Sequence, residues 1–284
     1  MLTILIDGVA YGMLLFVLAV GLSVTMGLMN VVNLAHGAFA LLGGYVTALM
    51  MNRAGVPIVA TLPLAFAAAA LAGAVLERTL YRRLYGRDHL DHVLFSIGLV
   101  FMATTAADWL VGPQQQLIQL PGWLQGRIEL GGLAVGRYRL FLILLCAALV
   151  AGLQAALMRT RVGSRLRAAV DDPRVARGMG IDTGTLFAVT FAAGSGLAGL
   201  GGALAVELVG MDPGFPLRFL VFFLIVVTVG GTDSLTGPFL AALLVGIADT
   251  AGKYLAPQLG GFLIYALMIL VLIWRPQGLL ARAR

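Results

Sequence analysis

Apolar stretches of about the length needed to cross a hydrocarbon core of about 30 Å recur along the chain, separated by short polar segments. They fall near residues 8–29, 34–51, 56–76, 93–111, 138–158, 184–210, 217–232, 236–252 and 258–274. This pattern predicts an all-α integral membrane protein with about nine transmembrane helices, within a range of eight to ten, some of them broken or re-entrant. The 1–284 chain reads as a single transmembrane domain. The stretch from Gly27 to Gly44 is the main candidate break, because Gly and polar residues are dense there. Such a break has to face protein or water, never lipid.

Composition supports that solvent assignment. Of 284 residues, 60% are hydrophobic and 11% charged, with a mean hydropathy of +0.98. A soluble domain carries about a quarter charged residues. A formal charge of +6 and a pI near 10.0 raise the question of nucleic acid, but the basic residues occupy short loops between apolar runs. The basic balance therefore reads as topology, with the lipid bilayer rather than nucleic acid as the partner. No Lys or Arg precedes the first run, where Asp7 is the only charge, so that run reads as a retained helix and not a cleaved signal. Cys146 stands alone within an apolar run and reads as a small buried hydrophobe.

Arginine placement sets the expected orientation. Arg78, Arg82, Arg83 and Arg87 follow the third run, and Arg159, Arg161, Arg165, Arg167, Arg174 and Arg177 follow the fifth; Arg275, Arg282 and Arg284 follow the last. Together they are 13 of the 19 basic residues. Cytoplasmic loops concentrate Lys and Arg, so all three clusters are expected inside, which puts the amino terminus outside. Residues 112–138 then form an external loop, whose Pro113, Pro121 and repeated Gly fit a structured segment rather than a span.

Candidate chemistry narrows the function classes. No His-Glu-x-x-His pair, Gly-x-Ser-x-Gly elbow or Cys/His cluster occurs, so no catalytic residue, metal ligand or cofactor is expected. The single lysine, Lys253, lies in no phosphate-binding loop, so any ATP has to be handled by a partner. Gly194-Ser195-Gly196-Leu197-Ala198-Gly199 matches a dinucleotide fingerprint by spacing, yet no strand leads into it and it lies within an apolar run. Close helix packing, with Ala198 and Gly202 at small-xxx-small spacing, is the better reading.

Polar residues in the membrane zone gather at two places, Asn30, Asn33 and His36 at one, Asp233, Ser234 and Thr236 at the other. Buried polar groups at membrane depth normally face a cavity or a partner, which makes these six pathway candidates; helix capping by Asn33 and Asp233 is the alternative, and both stay open. Residues 33–39 and 233–239 also echo each other, each interrupting an apolar stretch just before Gly-x-Phe, as in transporters with discontinuous helices in two halves. Asp108, Glu207 and Asp249 lie nearer span ends, where interfacial solvation accounts for them. A self-sufficient secondary transporter or channel would favour paired intramembrane charges, which look sparse in the sequence. A membrane-embedded enzyme would need a nucleophile or metal that is not visible.

The segment from Thr160 to Ile181 reads as two short helices. Ser164 is a candidate cap for the first, Asp172-Pro173 a start pair for the second, and Gly178 or Gly180 its left-handed end. A loop that only holds topology needs no such punctuation, so a folded docking element is expected.

Taken together, these residues resemble the LivH-type permeases of branched-chain amino acid ABC importers. The resemblance rests on residues 27–39, on the Thr160–Ile181 segment, on Gly230-Gly231 with Gly237-Pro238, and on the ending Arg275-Pro276-Gln277-Gly278-Leu279. It implies a multi-pass protein of the bacterial inner membrane that translocates a small polar solute, most directly branched-chain or other hydrophobic amino acids. Related permeases carry urea or short amides, and Thr232-Asp233-Ser234 departs from the family's usual small-residue stretch. The resemblance makes 159–182 the cytoplasmic coupling loop, with Gly163, Arg165, Arg167, Ala168, Asp172, Arg174 and Gly180 as its functional positions. It further implies a second permease subunit, two cytoplasmic ATP-binding subunits and a periplasmic substrate-binding protein.

Overall fold

The computed structural model describes residues 2–29, 33–84, 87–130, 133–231, 234–258, 260–275 and 278. Its order is α1 (Leu2–Met29), α2 (His36–Ala54), α3 (Ile58–Leu76), α4 (Arg82–Leu84), α5 (His89–Val111), β1 (Arg127–Leu130), β2 (Leu133–Gly136), α6 (Arg137–Arg159), α7 (Arg161–Asp171), α8 (Pro173–Gly178), α9 (Thr183–Val209), α10 (Phe215–Gly230), α11 (Thr236–Leu255) and α12 (Gly260–Trp274). Each of the nine apolar runs coincides with one helix, from 15 residues in α12 to 28 in α1. In hydrocarbon an unbonded peptide group costs several kcal/mol, and a helix satisfies its own backbone. Among the described residues, six helical segments, starting at Leu2, Ile58, Leu90, Arg137, Thr183 and Thr236, are long and apolar enough to cross a membrane; Phe215–Gly230 and Gly261–Trp274 are shorter apolar helices. The chain is thus an essentially all-α, multi-pass membrane protein.

α9 is the central helix. It packs on α1, α2 and α3, and 72% of its apolar 18-residue stretch is buried, against 17% in α5 and 11% in α6. Its glycines explain the approach. A Cβ on Gly202 would overlap the carbonyl oxygen of Ala40, one on Gly199 would overlap the Ala69 methyl, and one on Gly196 would lie 2.8 Å from the Phe66 ring. The Gly194–Gly199 fingerprint is therefore a packing surface in the middle of a helix, with Gly194 facing Gly21 of α1. α1 and α11 meet in the same way, Gly12 lying against Gly246 and Leu243.

The 112–138 segment is folded. β1 and β2 form an antiparallel hairpin pairing Arg127 with Gly136 and Leu130 with Leu133, which gives form to the structured segment expected there. Gln116 and Met211 exchange backbone hydrogen bonds of 2.7 and 3.0 Å, and Gln115 Nε2 donates to the Val209 carbonyl at 2.8 Å. Asn52 Nδ2 donates to Leu117 O at 2.9 Å. These bonds tie the segment across the ends of α2 and α9.

Candidate functional site

The break between α1 and α2 is built around two buried side chains. Asn33 Oδ1 accepts from the Ala35 amide at 3.0 Å and from the Tyr81 hydroxyl at 2.7 Å. One oxygen thus caps the turn into α2 and ties it to a π-helical turn, Glu77–Tyr81, that joins α3 to α4. His36 is 1% exposed, and its Nε2 lies 2.8 Å from Leu18 O, so that nitrogen carries the proton and donates to the carbonyl. Its ring meets Phe223 of α10 edge-on, with centroids 6.0 Å apart.

Leu18 is about 16 Å from the carboxyl end of α1 at 1.5 Å per residue, so α2 opens beside the middle of α1 rather than at its end. The first turn of α10 reaches the same place, since a Cβ on Gly37 would lie 2.9 Å from Pro216 Cα. Two helix starts, those of α2 and α10, therefore converge inside the bundle. Ser234 and Thr236 sit differently. Both are exposed, with their hydroxyls 3.1 Å apart, and Ser234 Oγ accepts weakly from Gly237 N at 3.4 Å. The echo between 33–39 and 233–239 does share a local role, because each leads into a helix, α2 at His36 and α11 at Thr236. Asn30 and Asp233 lie outside the described residues.

The loop after α6 forms the two short helices expected. The first cap is corrected: Thr160, not Ser164, caps α7, its hydroxyl accepting from Gly163 N at 3.1 Å, while Ser164 Oγ donates to Arg161 O. Ser164 is already in the first helical turn, where its hydroxyl bonds the preceding backbone instead. Asp172 caps α8 as expected, accepting from Arg174 N and Val175 N at 2.8 and 3.0 Å, with Pro173 in the first turn. Gly180, at φ +81°, ends the unit in a conformation that glycine adopts without strain.

The apolar positions of α7, Gly163, Leu166 and Ala169, recur every third residue and are buried. A Cβ on Gly163 would overlap the Leu157 backbone, so this glycine lets α7 lie directly on α6. Arg165, Ala168 and Arg174 are exposed, and Arg165 lines a groove of about 490 Å³ with Met179, Asp182 and Val189. Arg167 is committed elsewhere, its guanidinium donating to the Leu157 carbonyl near the end of α6. The Thr185 hydroxyl and amide both donate to the Asp182 carboxylate and hold it below the usual Asp range, so the cap of α9 stays charged further into acid than a free Asp.

One cluster escaped the sequence reading. Asp249 is 2% exposed rather than solvated, and Lys253 Nζ donates to its Oδ2 at 2.7 Å. Asp7, also buried, pairs with Arg139 across α1 and α6. The i,i+4 spacing of Asp249 and Lys253 was a readable signal; the Asp7–Arg139 pair, 132 positions apart, was not.

Comparison with known proteins decides the family. Residues 4–272 match the family described as branched-chain amino acid transport system / permease component. The chain is a member of that family. Among its relatives in the family, the high-affinity branched-chain amino acid transport system permease protein BraD of Pseudomonas aeruginosa is 27% identical, covering 98% of this chain and 95% of the relative. Permease protein LivH of Escherichia coli K12 is 26% identical over 97% and 94%, respectively. LivM of the same strain, named as a permease protein of the same transport system, is 27% identical over 98% of this chain and 70% of its own length. As a family member the chain is a transport permease component, and the helix-break and loop geometries above are its candidate working parts.

Proposed function

We propose that this chain is the membrane-spanning subunit of an ATP-driven importer that carries branched-chain or other hydrophobic amino acids across the bacterial inner membrane. The observation that carries the reading is the full-length kinship: relatives named as branched-chain amino acid permeases align with 97–98% of the chain. In this reading a similar, non-identical permease completes the path, two ATP-binding subunits sit beneath it, and a periplasmic binding protein delivers the solute. The α7–α8 unit then transmits ATP-driven motion, and the break at Asn33 and His36 lies beside the path that opens alternately to each side. The amino terminus and the 112–138 segment face outward; the three arginine clusters face the cytoplasm. The solute passes without bond chemistry, and ATP hydrolysis belongs to the partner subunits.

Two experiments test it. Affinity-tagged chain co-expressed with its system's components is expected to retain an ATP-binding subunit through purification; a stable chain that never does so contradicts the importer reading. For sidedness, cysteines at Gln125 and Met179 in a Cys146→Ala background are read with a membrane-impermeant thiol reagent on intact cells. Position 125 is expected to label and position 179 to stay silent, and the reverse pattern overturns the orientation.

A further inference from the structure

At the hairpin end of the bundle, α1, α6, α9 and α11 line a half-open cavity of about 240 Å³ that the family assignment does not use. Asp7, Arg139, Asp249 and Lys253 all line it, together with Tyr11 and an apolar wall that includes Leu208. Lys253 Nζ lies 5.5 Å from the Tyr11 ring centroid. The two acids are 6% and 2% exposed, whereas the side chains of Arg139 and Lys253 are 38% and 61% exposed, so the bases reach toward the open side. Salt bridges that tie α1 to α6 and brace α11 along its own length would account for the two ion pairs. They do not account for Asp249 Oδ1, which is buried and has no hydrogen-bond partner. Buried carboxylate oxygens are normally satisfied, and this one lies in a residue that lines the cavity.

Charge selects the ligand class. Two acids and two bases sum to zero, so a bare cation or anion would add an unbalanced charge, whereas a dipolar molecule keeps the sum at zero and meets both signs. Asp249 Oδ1 accepts an ammonium, and the guanidinium of Arg139 has donors beyond its Asp7 contact for a carboxylate. We propose that this cavity is a binding site for a zwitterionic aliphatic α-amino acid, its head group held between Asp249 and Arg139 and its side chain on the apolar wall. The proposal rests on the amino-acid reading above and adds a residue-level contact site at the hairpin end of the bundle.

The test uses the purified permease complex without ATP or binding protein, and titrates it calorimetrically with L-leucine, with leucinamide, which lacks the carboxylate, and with 4-methylpentanoate, which lacks the ammonium. Leucine is expected to bind at least about tenfold more tightly than either analogue, the loss of one charge-assisted hydrogen bond. Asp249→Asn is expected to reduce leucine affinity by about the same factor while 4-methylpentanoate binding stays as it was. Equal affinities for all three compounds, no leucine binding, or unchanged leucine affinity in Asp249→Asn would each overturn the site. Because the analogue series uses wild-type protein, a misfolded variant cannot mask the result. Parallel uptake by the wild-type complex separates the two ideas: leucine uptake without leucine binding removes the site alone, while absence of any amino-acid uptake removes the transport reading.

Discussion

Helices α9 and α5 are both apolar enough to cross a membrane, yet one is the packed centre of the molecule and the other its rim. The difference lies in glycine. α9 carries six, at 184, 194, 196, 199, 201 and 202, while α5 has only Gly98 and α6 only Gly152. At Gly98 and Gly152 an added Cβ meets nothing within 4 Å; at Gly199 and Gly202 it would overlap a neighbouring helix. Lipid tails are as apolar as leucine, so hydrophobicity does not drive helices together in a bilayer, and close backbone approach does. Trp109, Met102 and Leu144, each at least 70% exposed, mark the rim surfaces left for lipid or a partner subunit.

The largest effect is expected from filling the centre. Gly202→Leu displaces Ala40 backbone and is expected to cost at least about 3 kcal/mol, read as loss of the folded peak in size-exclusion chromatography. Gly98→Ala at the rim is expected to be neutral or stabilising by about 0.5–1 kcal/mol, the ordinary helix preference. Equal thermal stability of Gly202→Ala and Gly98→Ala would abolish the distinction between centre and rim.

A rim position matters when a partner covers it, which sharpens the comparison at the α7–α8 loop. Arg174→Glu places an acidic residue in the first turn of α8, where it favours the helix, so any loss reports on the contact and not the fold. It is expected to weaken ATPase association by about 2 kcal/mol or more, measured as subunit stoichiometry after purification. Contact with anionic lipid alone would change binding by about 1 kcal/mol and leave stoichiometry intact. Arg167→Glu is a poorer probe, because it also breaks the bond to Leu157.

Within the centre, Asn33→Leu leaves the Tyr81 hydroxyl and the Ala35 amide unbonded, at a cost of about 1–3 kcal/mol for each buried group. Tyr81→Phe removes the hydroxyl as well and is expected to be milder; the double variant is expected to be clearly less destabilised than the sum of the two. Additivity in thermal unfolding would mean that the bond contributes nothing. Uptake is expected to fall more than assembly in Asn33→Leu. The smallest effect is a cap: Thr160→Val is expected to cost about 1 kcal/mol, read as faster amide exchange in α7.

The course of the backbone was legible in the sequence because a bilayer leaves an apolar run little choice but a helix. The Asp172-Pro173 start of α8 was legible because caps are local, and of the two glycines offered for its end, Gly178 and Gly180, it is Gly180 that takes the left-handed conformation. Other features depend on neighbours that no local pattern reveals. Ser164 and Thr160 are both sound cap residues, and only the place where α6 ends decides between them. The Gly-Gly pair at 131–132, between the short runs Arg127–Leu130 and Leu133–Gly136, is a hairpin signal that went unused in the sequence reading. Which apolar helix is central, and that Asn33 meets Tyr81 or Asp7 meets Arg139, follow from tertiary packing alone.

On the proposed function, this chain moves amino acids only as part of an ATP-driven assembly. The most direct measurement is uptake of labelled leucine and labelled urea into liposomes containing the purified complex, with binding protein on the outside and ATP sealed within. Leucine accumulation that requires both ATP and binding protein, with no urea uptake, is the predicted result. Leucine uptake by this chain alone without ATP, or ATP-driven uptake of urea but not leucine, would contradict it.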